Sequence, residues 1–276
     1  MKIYSKKMKQ EITDILTWEN SVRKAHWKPG RSAQTLAEYV LASNPAGKKL
    51  ESVFTEIFKT IPALKNDPIH FNYAYPEFEV KFDDYKNGRK HDLGVFGVTE
   101  RGKNIFVGVE AKVDEPFGNF IGAEYAKAVK YKNNAIAAGK NSYKPDRIED
   151  LLQYFFYSCE IEKFSDLRYQ LLHGLGATKF NTGSIDDPDY ALFCVIAFRT
   201  KTSGKKGFPN EKEKNNYQDY KNLLGALSAA GNKVVKYKSP APFVKENSTY
   251  EITLKNKKTI YSSYVEIDAL KIENGC

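Results

Sequence analysis

Residues 89–118 read RKHDLGVFGVTERGKNIFVGVEAKVDEPFG. Two apolar runs, 93–98 and 105–111, flank the polar, glycine-containing segment 99–103, which is the pattern of a β-hairpin with a five-residue loop. If Val98 faces Asn104 across the loop, Phe96 meets Phe106, Gly94 meets Gly108 and Asp92 meets Glu110. Strand side chains alternate, so Asp92, Gly94, Phe96, Phe106, Gly108, Glu110 and Lys112 share one face. Leu93, Val95, Val107, Val109 and Ala111 share the other, which is built for a core.

Two carboxylates opposite each other on a sheet repel unless a positive charge sits between them. A divalent cation with oxygen ligands is the usual remedy. Lys112, on the same face as Glu110, would hold a water or a phosphate oxygen, and the neighbouring glycines leave open space on the sheet. The competing reading is a solvated sheet rim on which Lys112 neutralises its neighbours.

An aspartate, a hairpin and then Glu-x-Lys resembles the PD-(D/E)XK nuclease superfamily, with Asp92, Glu110 and Lys112 at the three motif positions. GVEAKVDEPFG, with HWKPGRSAQTLAEYV upstream, is similar to a bacterial branch of that superfamily; His91 stands where a proline usually precedes the first acid. The resemblance implies a restriction-endonuclease-like α/β core of helix, three-stranded antiparallel meander, helix and further strand. It implies a magnesium-dependent nuclease, with Mn2+ as a substitute, in which Asp92 and Glu110 hold metal and Lys112 positions water. DNA is the expected substrate, and a homodimer would suit double-strand cleavage. A catalytically silent relative that only binds nucleic acid or protein is the alternative, and an unrelated protein whose hairpin mimics the motif is a third.

The 276 residues carry 43 Lys+Arg against 34 Asp+Glu, a formal net charge of +9, which favours polyanionic partners such as nucleic acid. The bland alternative is that lysine-rich composition reflects genome base content. Cys159, Cys194 and Cys276 lack paired spacing and read as free thiols. With no charged-then-apolar leader and no membrane-length apolar run, a soluble cytoplasmic protein without membrane association is expected. The four histidines have no metal-ligand spacing, and neither a phosphate-binding glycine loop nor a nucleophile elbow is present.

Along the chain, residues 1–61 read as helical, with helices over 8–17 and 33–41 and an apolar stripe of Leu50, Val53, Phe54, Ile57, Phe58 and Ile61 in the next. Trp18 and Trp27 fit packing better than base stacking. Glu51 falls at the edge of that stripe while Glu56 points away. In the resembled superfamily a glutamate from this helix often joins the metal, which makes Glu51 a candidate beside an ordinary surface role. Residues 76–82 alternate as a strand, and Glu77 or Glu79 would add a metal carboxylate if that strand lies beside Asp92, or else face solvent.

Residues 121–138 read as a helix with interleaved lysines and tyrosines, which suits a nucleic-acid backbone or plain solvation. Asp146 reads as the cap of a helix over 147–157, and Ser165 or Asp166 as the opening of the next, where Arg168 falls inside the apolar stripe and Gln170 outside it. A core-side arginine needs a metal-site carboxylate, a substrate phosphate or a structural ion pair. The apolar run 190–198 reads as a central strand. Loop 199–210, a helix over 211–230 and strands 250–254 and 259–267 read as a peripheral α+β extension. The expected organisation is an N-terminal helical segment 1–46, a nuclease-like core 47–200 and a C-terminal extension 201–276 packed on it.

Overall fold

The computed structural model describes residues 1–85, 87–179, 188–199, 211–239 and 241–269, without the side chains of 211–214. In chain order the elements are β1 (Lys2–Ser5), β2 (Gln10–Glu11), α1 (Ile15–Ser21), α2 (Ser32–Leu41), α3 (Lys48–Phe58), β3 (Ile69–Val80), β4 (Arg89–Thr99) and β5 (Asn104–Lys112). There follow α4 (Ile121–Ala137), α5 (Lys144–Phe156), α6 (Tyr169–Lys179), β6 (Tyr190–Arg199), α7 (Glu211–Ala229), β7 (Lys233–Lys238), β8 (Val244–Thr253) and β9 (Thr259–Asp268). The fold is mixed α/β, built on a nine-stranded sheet in the order β2-β1-β3-β4-β5-β6-β9-β8-β7.

The hairpin forms in the expected register: Val98 opposite Asn104, Phe96 opposite Phe106, Gly94 opposite Gly108. Leu93, Val95, Val107 and Val109 enter a core cluster with α2 and α3. Phe96 and Phe106 join Phe78 and Ala177 on the opposite side, beneath α6. Strand β6 runs parallel to β5, and its alternate residues feed both faces: Leu192, Cys194 and Ile196 to one core, Phe193, Val195 and Ala197 to the other. That double burial is why its sequence is a continuous apolar run rather than an alternating one.

Three expectations need correction. Residues 8–17 are not one helix. Lys2–Ser5 adds to β3 in parallel, Gln10–Glu11 folds back on it, and the helix starts only after Asp14, whose carboxylate accepts the Thr17 N–H at 2.8 Å. Sheet pairing and a cap together override the helical spacing of Met8 and Ile12. Second, α5 opens at Lys144 with Pro145 in its first turn, and Asp146 pairs with Lys132 instead of capping; α6 opens at Tyr169, four residues later than Ser165.

Third, the C-terminal strands are not peripheral. β9 pairs in parallel with β6, and β8 and β7 extend the same sheet, with Tyr264 and Val265 fully buried. Trp18 is buried in the α2–α3 core and Trp27 packs against it, as expected of cementing residues. Loop residues 200–210 lie outside the described residues, as does Cys276; Cys159 and Cys194 are free thiols. Among the described residues no helix is long and apolar enough to cross a membrane.

Candidate active site

The site is made by a slip in the pleat. His91 and Leu93 are two residues apart, which in a regular strand puts them on one face. Leu93 nevertheless lies in the α2–α3 core, whereas the His91 ring packs on Phe106 at 5.8 Å beneath α6. The facing strand slips at the same level. Tyr75 and Phe78 are three residues apart yet share one aromatic cluster, and Glu77 between them takes a left-handed backbone with φ 46°. Irregularities of this kind re-aim side chains at the ends of strands, and here the residues at the paired slip are Glu77 and Asp92.

The consequence is a redistribution of charge. With the slip at Asp92, Arg89 and His91 move from the valine face to the face that carries Glu110. Backbone pairing of β4 with β5 stops at Leu93–Val109, and the Ala111 N–H goes to Asp92 Oδ2 at 2.7 Å instead of to the backbone of β4. The strands part here, and a cleft of about 680 Å³ opens between their ends, the segment joining α1 to α2, and the start of α6. Glycine is required just behind it, because a Cβ at Gly108 would lie 2.5 Å from Thr178 Oγ1 and 2.6 Å from His91 Cε1.

Glu110 is 1% exposed and gathers three donors. Lys112 Nζ lies 2.8 Å from its Oε1, Gln170 Nε2 donates to the same oxygen at 2.5 Å, and Arg89 Nη2 binds Oε2. Asp92 sits at the cleft floor, partly open to it but surrounded by protein. Burial, then the Glu110 charge, raise its pKa to about 7 against the opposing pull of Lys112, the Ala111 N–H and Arg89. For Lys112, burial acts to lower the pKa, but the carboxylates of Glu110 and Asp92 outweigh it and the net direction is up. His91 is pushed down to about 3, by burial first and then by Arg89, so its imidazole is neutral.

Asp92, Glu110 and Lys112 are therefore brought together, and Glu77 lines the same cleft. The Glu77 carboxylate is engaged by His26 Nδ1 at 2.5 Å and Lys90 Nζ at 3.3 Å. The other candidates lie elsewhere. Glu79 accepts the Gly88 N–H at 3.0 Å and lines a neighbouring groove, which Glu77 borders as well, but not the cleft of Asp92 and Glu110. Glu51 faces a separate cleft with Met1 and Lys48. Arg168 ion-pairs with Asp219 at 2.7 Å, donates to the Gly118 carbonyl at 2.7 Å and stacks on Phe120, which is the structural alternative for that residue.

Two site residues escaped the sequence reading. Gln170 falls outside the apolar stripe, and in the first turn of α6 it meets Glu110 instead of the core. Arg89 was hidden by parity, since only the slip brings it to the face of Glu110.

Among the described residues no group of three or more His, Cys, Asp or Glu side chains forms a ready metal cage. The residues present still fit one cation, because two carboxylates share the site and the ionised form of Asp92 is penalised until positive charge arrives. Asp92 has one oxygen not taken by Ala111, and Glu110 would exchange a cationic donor for the metal.

Sequence comparison places the chain in a family: it belongs to the one described as a domain of unknown function (DUF6946), which matches residues 11–262. No curated protein and no solved structure matches it.

Proposed function

We propose that the chain is a metal-dependent nuclease of PD-(D/E)XK type, hydrolysing phosphodiester bonds, with DNA as the expected substrate. The observation that carries this reading is the meeting of Asp92, Glu110 and Lys112 in one cleft where β4 and β5 part. The element order also supports it. Helix α3 precedes an antiparallel β3-β4-β5 meander, helices follow, and β6 adds to β5 in parallel, which is the sequence of elements expected of a restriction-endonuclease-like core.

Asp92 and Glu110 would hold Mg2+ or Mn2+, which when bound supplies charge stabilisation to the phosphate and acidifies a water ligand. The chain's own residues do the positioning. Lys112, kept protonated by its carboxylate neighbours, acts as a donor to water or to a phosphate oxygen and not as a proton acceptor. Gln170 fixes the rotamer of Glu110 through one oxygen, leaving the other to exchange Arg89 for metal. Arg89, once released, is a guanidinium within the cleft and is suited to a phosphate oxygen.

A catalytically silent binding protein is the second reading. It is favoured by one observation: both oxygens of Glu110 are already held by protein donors. Incubation of labelled single- and double-stranded DNA and RNA with Mg2+ decides between them. Cleavage that is lost in Asp92→Asn and in Lys112→Ala, both still folded by circular dichroism, is the expected result. No cleavage of any substrate by the wild type, or cleavage undiminished in either variant, would overturn the nuclease reading.

A further inference from the structure

The basic helix singled out by sequence, α4, does not reach the cleft: none of its lysines lines it, and Lys132 is tied to Asp146 at 2.7 Å. Beyond Arg89, Lys90 and Lys112 of the hairpin itself, the positive charge that does reach it comes from the N-terminal segment 6–31. This segment holds seven Lys or Arg residues and three carboxylates, Glu11, Asp14 and Glu19. Lys28 and Arg31 line the candidate active site, and Lys6, Lys7, Arg23 and Lys24 line a second groove of about 380 Å³; of the seven, Lys9 alone is outside both. None of the three carboxylates lines either.

The two grooves share Val22, Glu77 and Lys90, so they form one continuous path around the slipped ends of β3 and β4. Of the acidic residues on that path, Glu77 is neutralised by His26 and Lys90 and Glu110 by Arg89 and Lys112, Glu79 accepts the Gly88 N–H, and Asp92, Asp114 and Glu115 line the cleft end. Among the described residues Arg23, Lys24, Lys28 and Arg31 are exposed and take part in no ion pair. Charge segregation of this kind within segment 6–31, with its cations to the groove and its acids away from it, is the footprint of a polyanion. The long, solvated side chains suit phosphates rather than base edges.

We propose that segment 6–31 is the wall along which a nucleic-acid strand is held by its phosphates, running from the Asp92–Glu110 cleft past Lys28 and Arg31 to Arg23, Lys24, Lys6 and Lys7. The proposal rests on the nuclease reading only for the identity of the cleft as the place of cleavage. Single strand and duplex present the same phosphate chemistry to this wall, and both are used as probes.

The test is fluorescence anisotropy in EDTA with a labelled 20-nucleotide strand and with its duplex, each titrated over a range of salt. The wild type is compared with Lys28→Ala/Arg31→Ala, with Arg23→Ala/Lys24→Ala, and with Lys127→Ala/Lys130→Ala on exposed α4. Each wall pair is expected to weaken binding by about 10-fold or more at moderate salt. It should also flatten the slope of log affinity against log salt by about 1.4 for the strand or about 1.8 for the duplex. The α4 pair should leave both unchanged, and the probe whose slope responds is the form held here. Wild-type affinity and slope in the wall variants, equal losses in the α4 pair, or no binding by the wild type would overturn the proposal. Wall-dependent binding without any cleavage would remove the nuclease reading and leave the wall standing. Asp92-dependent cleavage with unaltered binding in the wall variants would do the reverse.

Discussion

Gln170 Nε2 donates to Glu110 Oε1 at 2.5 Å, while Arg168, two residues earlier, turns away to Asp219. The entry to α6 thus assigns one residue to the site and the other to the scaffold. Gln170→Ala is expected to lower Mg2+-dependent cleavage by about 10–100-fold with little change in the denaturation midpoint, because it frees the rotamer of a metal-holding carboxylate. Arg168→Ala should do the opposite, leaving turnover of the folded protein near wild type but costing about 2–4 kcal/mol in urea, since it strands the nearly buried Asp219. Parallel kinetics and urea titrations on the two variants check the assignment.

Asp92 makes the metal-free protein pH-dependent. Its folded-state pKa lies near 7, above the ordinary carboxyl value that it has when unfolded. Below about pH 4 both states are protonated and the residue costs nothing. As pH rises from about 4 to 7 the unfolded chain gives up its proton first, so folding stability declines; above about 7 the loss is constant. Asp92→Asn should therefore match wild type near pH 4 and exceed it by on the order of 4 kcal/mol at pH 8, in urea titrations with EDTA. Magnesium affinity of the wild type should rise as pH rises through about 7, because the cation needs the ionised carboxylate.

Glu110 is the counter-charge of two nearly buried cations, Arg89 and Lys112. Glu110→Ala leaves both without it and is expected to lower stability by about 3–5 kcal/mol. Glu51→Ala removes one partly exposed carboxylate paired with the Met1 amine in a separate cleft and should cost less than Glu110→Ala, which strands two cations. Chemical denaturation of the two variants under one condition provides the comparison, and equal losses would mean that Glu110 is not the hub of the buried charges.

Gly108 sits where the site meets its support. A methyl group there would press on Thr178 and on the His91 ring, which is bonded in sequence to Asp92. Gly108→Ala should destabilise the fold by about 1–3 kcal/mol and reduce metal affinity. Gly102→Ala, at a loop position with open space around its Cβ, should leave metal affinity unchanged and act only through its positive φ of 77°. Calorimetric titration of Mg2+ into both variants separates site distortion from loop strain.

The hairpin register, the burial of the valine face, the α3 stripe and the continuous apolar strand β6 were all legible in the sequence, because each follows from a local period and needs no knowledge of distant partners. The trio Asp92, Glu110 and Lys112 was legible for the same reason: its members lie within one hairpin, where the turn fixes the register. Tertiary structure decided the rest. The slip at Glu77 and Asp92 arises where two strands must bend together, and no period in either strand announces it. That slip carries Arg89 to Glu110, leaves Glu79 outside the cleft that Glu77 lines, and opens the cleft to the N-terminal segment. Pairing of β1 with β3 and of β9 with β6 joins residues far apart in sequence, so segments that look helical or peripheral when read locally become parts of one sheet. Local alternation determined which residues share a face; long-range pairing determined where that face breaks, and the candidate site lies at the break.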